Sequence, residues 1–252
     1  MNTTVKTFIG VCIFSIAMAA LESAVVVYLR ALYYPNGFTV AFQLIDPGIL
    51  KVELLREIST LVMLLAVGYL AGTHFKDRLA YFLLAFAVWD IFYYGWLKVF
   101  INWPASLLEW DILFLIPFTW LGPVLAPIIC SFTMIVLTLV LLFTPKPLSR
   151  LAWTLISAGC FFILYTFMQD YGWLIINNGF IGDYANILQN QDFLRLASGY
   201  IPAAFNWSLF LLGEIFLLAG IYCQYQRLRI DTDSTPQVSR FNIRWLRFTK
   251  DT

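Results

Sequence analysis

The chain has 252 residues, of which 61% are hydrophobic and only 12% charged, and its formal net charge is +1. Soluble domains carry about 25% charged residues, so an ordinary soluble fold is excluded. The near-zero charge argues against a nucleic-acid partner. Apolar runs are long enough to cross a hydrocarbon layer, which takes about 20 helical residues. They lack the short alternation of barrel strands, so the expected fold is an all-α integral membrane protein, a six-transmembrane-helix bundle.

The first predicted span covers about Thr7–Tyr33 and stops at Tyr34-Pro35-Asn36-Gly37, a strong turn signal. Its length and the absence of a small-residue cleavage site mark it as a retained helix rather than a signal peptide. The second covers about Lys51–Gly72, with a polar first turn, and the third about Leu79–Ile101. An apolar run from Ile112 to Pro145 follows, broken by Pro117, Gly122, Pro123 and Pro127. Ser106-Leu107-Leu108-Glu109 fits a capping box, so a short non-spanning outer helix, interfacial or re-entrant, is expected over Ser106–Ile116. The fourth span is expected over about Val124–Phe143, the fifth over about Arg150–Trp173 with Ser149 as N-cap, and the sixth over about Ala203–Gln224. A short amphipathic helix is expected near Tyr184–Ala197. Residues 1–224 thus form the transmembrane domain, and 225–252 a basic tail.

Basic residues set the orientation. His74-Phe75-Lys76-Asp77-Arg78, Lys146, Arg150 and the tail arginines all fall on one side if the N-terminus is cytoplasmic, while Asp46, Asp183 and Asp192 fall on the other. The positive-inside rule then puts both termini in the cytoplasm.

Carboxylates carry the strongest functional signal. Glu22, Glu53, Glu57, Asp90, Glu109, Asp111, Asp170 and Glu214 lie in or beside spans, mostly in the outer half. A charge at the centre of a spanning helix costs about 2.5–3.5 kcal/mol on insertion scales, so such residues usually serve a site. Asp90 and Glu214 are expected near the midplane as central ligands, with Glu22 and Glu57 on the approach. Glu53 and Glu57 share a helix face, and Arg56 stands between them in sequence. Tyr94 follows Asp90 at i+4 and Lys98 at i+8. The alternative for this set is a structural network in which Arg30, Arg56 and Lys98 neutralise the acids. Trp89-Asp90-Ile91 recurs as Trp110-Asp111-Ile112.

Cys12, Cys130, Cys160 and Cys223 all sit in apolar segments, so neither disulfides nor a zinc site is indicated. With one histidine and no phosphate loop, GxSxG or HExxH, no cofactor is expected. Carboxylates without histidine or thiolate suit protons or hard cations.

The stretch Leu21-Glu22-Ser23-Ala24-Val25-Val26-Val27-Tyr28-Leu29-Arg30 resembles bacterial six-helix inner-membrane proteins to which no activity is attached. So does the block from Trp89-Asp90-Ile91-Phe92-Tyr93-Tyr94 to Trp110-Asp111-Ile112-Leu113-Phe114-Leu115-Ile116-Pro117. The resemblance covers about the first half of the chain and implies a bacterial inner-membrane setting.

The leading expectation is an outward-facing acidic cavity that binds or transports a proton, a metal cation or a small cationic solute. The alternatives are a membrane-embedded enzyme acting on a lipid or isoprenoid with Asp90 and Glu214 as acid and base, and a non-catalytic subunit of a larger complex. The expected partners are the lipid bilayer and a homo-oligomer or larger membrane complex.

Overall fold

A computed structural model describes residues 3–34, 47–182, 187 and 190–234. Its elements are α1 (Thr3–Tyr33), α2 (Pro47–Ala71), α3 (Phe75–Ile101), β1 (Trp110–Phe114), β2 (Trp120–Pro123), α4 (Leu125–Phe143), α5 (Arg150–Asn177), α6 (Gln191–Gly199) and α7 (Trp207–Ser234). Six of the seven helices, all but α6, are long and apolar enough to cross a membrane. The structure is a helical bundle, and the chain reads as a multi-pass membrane protein.

A long apolar helix appears at each of the six expected spans, with shifted ends. α3 begins a turn earlier than expected, and α5 runs a turn further, to Asn177. α7 begins at Trp207 because the Asn206 side chain accepts from the Leu209 amide at 3.1 Å, a helix cap that the polar Asn206 supplies. Ser149 caps α5 as expected, accepting from the Ala152 amide at 3.0 Å. The amphipathic helix is shorter than expected. It starts only after Asn190, whose side chain accepts from the Asp192 and Phe193 amides. Asp183, Tyr184, Asn186 and Leu188 fall outside the described residues, as does the tail beyond Ser234.

The expected helix over Ser106–Ile116 is not there. Its first turn forms: Glu109 accepts from the Ala105 amide, and Ser106 from the Leu108 amide. The chain then turns into β1, which pairs antiparallel with β2 in the register Trp110↔Pro123, Asp111↔Gly122, Ile112↔Leu121 and Phe114↔Trp120. Two further bonds, Val124 N–H to Glu109 and Leu125 N–H to Leu107, close the base of the hairpin. The reason is backbone satisfaction. A helix halted before Pro117 would leave its last carbonyls without partners away from water. The hairpin pairs much of that backbone internally, and Trp110-Asp111-Ile112-Leu113-Phe114 has the aromatic and β-branched content that suits a strand.

α3 is the hub of the bundle. α1, α2 and α4 pack on it, α4 also packs on α7, and α7 carries α5. This makes a curved row of helices, and the hairpin fills the space between α3 and α5. Phe114 stacks on Phe86 of α3, while Trp120 lies parallel to Phe167 of α5 with centroids 6.4 Å apart. Gly122 makes this possible, since a Cβ there would stand 3.0 Å from the Phe167 ring. The end of the bundle that carries this motif is called the hairpin end below.

Candidate functional site

Beside the hairpin lies a cavity of about 290 Å³. Glu22 of α1, Glu53, Arg56 and Glu57 of α2, and Asp90 and Tyr94 of α3 all line it. Six of the seven residues singled out from sequence therefore share one space. The seventh, Glu214, is not on its wall. Glu214 is buried between α7 and α4, where the Thr133 hydroxyl donates to it at 2.7 Å. It stands on a different face of α4 from Asp90. Among the remaining acids, Asp170 of α5 accepts from the Tyr200 hydroxyl at 2.7 Å and ties the segment after α6 to α5. Burial, with Asp170 as acceptor, pushes the Tyr200 phenol above its ordinary range.

Charge pairing splits the acids into two groups. Arg56 bridges Glu22 and Glu53, bonding the latter at 2.8 Å, and the Thr60 hydroxyl donates to Glu22 at 2.7 Å. α1 and α2 have little direct packing, so this knot of side chains joins them. Arg30 turns instead to the hairpin, where it meets Asp111 at 3.1 Å and stacks over Trp103 with its guanidinium 3.8 Å from the ring centroid. Part of the acidic set is thus a structural ion-pair network.

Asp90, Glu57 and Glu214 have no such partner: among the described residues, no basic side chain lies within ion-pair distance of any of them. Lys98, the basic residue nearest in sequence to Asp90, points to the helix end, where it donates to the carbonyls of Asn102 and Pro104. Asp90 keeps the Ser131 hydroxyl, which donates at 2.8 Å. Glu57 accepts the Leu115 amide on both oxygens, at 3.1 and 3.0 Å. That amide follows the last residue of β1, so Glu57 supplies the acceptor that the hairpin lacks.

This contact gives a graded prediction. Glu57→Gln keeps an acceptor and should cost under about 1 kcal/mol, whereas Glu57→Ala orphans a half-buried amide and should cost about 1–3 kcal/mol. Thermal unfolding in detergent measures both. Equal losses would mean that the Leu115 bond does not hold the hairpin.

The rest of the wall is aromatic and aliphatic. Phe86, Trp89, Tyr93, Phe114 and Trp120 surround the polar part, and Pro127, Met134, Ile163 and Leu164 extend it toward α4 and α5. Chemically the site is an unneutralised carboxylate among aromatic faces. Among the described residues no three His, Cys, Asp or Glu side chains group as a metal ion requires.

Sequence reasoning missed several contributors. Ser131 and Thr133 read as ordinary span residues, although a hydroxyl in an apolar helix often marks a polar partner across the interface. Arg30, one of the three bases expected to neutralise the acids in the structural alternative, meets Asp111 of the hairpin. The repeated Trp-Asp-Ile did carry a signal, since both of its aspartates line the same cavity. No protein-family model matches the chain, and neither a curated protein nor a solved structure matches it.

Proposed function

We propose that this chain is a multi-pass protein of the bacterial inner membrane, with both termini cytoplasmic, whose cavity binds an organic cation for transport. The observation that carries this reading is Asp90: a buried carboxylate on a cavity wall, held by Ser131 and without a basic partner, among aromatic rings. An ammonium suits such a place twice over, through the carboxylate and through the ring faces, each cation–π contact contributing about 0.5–2 kcal/mol. A hard metal ion needs several oxygens at once, and the acids among the described residues are not grouped for that. The enzymatic reading needs Asp90 and Glu214 at one reacting atom, and the cavity does not unite them.

The test is equilibrium dialysis of the purified protein in nanodiscs with radiolabelled butylamine. Asp90→Asn should weaken binding at least about tenfold, as loss of one member of a buried charge pair does. Glu214→Gln, off the cavity, should change it less than about twofold. The reverse pattern would move the receptor to the α4–α7 interface and end this assignment. Orientation is tested separately by single cysteines. A cysteine at Gln237 should react only with reagent on the cytoplasmic side and one at Asn186 only from outside, and the opposite result sinks the topology.

A further inference from the structure

The cavity has two unlike parts. Toward α1 and α2 it holds the charged side chains; toward α4 and α5 its wall is Pro127, Met134, Ile163, Leu164 and Phe167, with Cys130 as the most polar member. A hydrated solute gains nothing from that second part, because its shell would have to be shed against groups that return no hydrogen bonds.

The same part reaches the outside of the bundle. Leu164 lines the cavity and is also 40% exposed on the surface, about midway along α5. The layout of the helices explains the opening. α5 is joined to the bundle through α7 and β2, and it has no substantial packing with α2, α3 or α4. A gap therefore lies between α2–α3 and α5. The hairpin tip closes its upper part, with Leu115 bonded to Glu57 of α2 and the Phe118 ring beside Gly172 of α5. Leu164 lies two turns further along α5 from Gly172, roughly 12 Å at 1.5 Å per residue, so the opening sits at the depth of lipid chains.

The geometry points to a single-chain amphiphilic amine as the ligand, entering from the bilayer between α2–α3 and α5, with its ammonium at Asp90 and its chain along Met134, Ile163 and Leu164. This rests on the organic-cation reading above and adds the chain and the route. The size is consistent with one chain. About 290 Å³ lies just below the range of roughly 300–1,000 Å³ for small-molecule pockets, room for the amine and part of one chain, with the remainder in the opening. Asp90 is the carboxylate next to this apolar part, since it is bonded to Ser131 of α4, whose neighbour Cys130 is on the wall. A water-soluble cation would instead enter from the hairpin end, where Tyr33 and Tyr34 line the cavity, and that route defines the competing outcome.

The experiment uses the full chain in zwitterionic phospholipid nanodiscs and an octadecylamine carrying a mid-chain diazirine. Photolabelling should be saturable and map to the peptides holding Met134 and Leu164. Octadecylamine should displace it. Octadecanoic acid, which partitions into the same bilayer with the wrong charge, should not. Asp90→Asn should reduce labelling about tenfold or more. Leu164→Trp should reduce it severalfold by filling the opening, while Phe132→Trp, on the exposed face of α4 and off the cavity, should leave it intact. Labelling spread over exposed residues such as Phe132 and Val136 and indifferent to Asp90→Asn would overturn the inference. If butylamine, measured by dialysis on the same nanodiscs, binds as tightly as octadecylamine and depends equally on Asp90, the cation site stands and the chain and the lateral route fall. If no amine of either length depends on Asp90, both readings fall together.

Discussion

Exchanging Gly159 for valine is expected to separate α5 from α7 and to lower stability by more than about 3 kcal/mol, beyond the usual cost of overpacking. A Cβ on Gly159 would stand 2.7 Å from the Gly213 carbonyl oxygen and 2.8 Å from Leu217 Cγ. Gly213 faces back with the same problem, its Cβ 2.7 Å from Ile163 and 3.0 Å from the Gly159 carbonyl. The obstacle at Gly159 is backbone, which cannot rotate aside. In lipid the hydrophobic effect does not press helices together, so contact of this closeness is what holds them. The consequence extends to the cavity, because α7 and β2 are the elements that hold α5 and its Leu164 wall in place. Alanine at the same position should cost about 1–3 kcal/mol. Gly10 and Gly95 provide the contrast, since nothing lies within 4 Å of a Cβ at either. Alanine there should be neutral or gain up to about 1 kcal/mol of helix propensity. Thermal or dodecyl-sulfate unfolding in detergent ranks the four variants. If Gly159→Val unfolds together with Gly10→Ala, the α5–α7 contact is not what holds that side of the bundle.

How far the sequence could be read follows from where physics is local. The six spans were legible because an apolar length is a property of each segment alone, needing no knowledge of its neighbours. The gathering of Glu22, Glu53, Arg56, Glu57, Asp90 and Tyr94 was legible as well, because charge avoids lipid and must face inward on every helix that carries it. The hairpin was not. Its local signals are mixed: Ser106 and Glu109 close one turn, though by accepting from Leu108 and Ala105 rather than from each other, and the strand preference of Trp110–Phe114 prevails only because Trp120–Pro123 can pair with it. That is a non-local term, invisible to periodicity. The separation of Glu214 was hidden for a related reason. Depth can be counted along a helix, but which side of α4 a residue meets depends on packing order, and Thr133 rather than Ser131 is what Glu214 finds there.

The non-local term at the hairpin is itself measurable. Arg30→Met is expected to cost about 3–5 kcal/mol, the loss typical of stripping one partner from a buried ion pair. The side chains of Arg30 and Asp111 are only 9% and 3% exposed, so water cannot replace the lost guanidinium. Asp111 would be left as a buried charge on β1, with the Tyr94 hydroxyl beside it. The strain should be relieved by moving the strand, because β1 and β2 form an isolated two-stranded sheet, a unit that is marginal without support. The expected outcome is therefore displacement of the hairpin rather than unfolding of the helices. A cysteine at Thr119, which is 8% exposed, reports this in a background whose four native cysteines are replaced. It should resist a water-soluble maleimide in the parent and react in the Arg30→Met variant. Removing both charges, Arg30→Met with Asp111→Leu, should restore most of the stability and the protection, since an apolar pair of similar volume replaces a buried ion pair at little or no cost. If the double variant is as reactive at position 119 as the single one, the pair is not the anchor, and the Glu57 bond to Leu115 with the Phe114–Phe86 and Trp120–Phe167 stacks holds the hairpin alone.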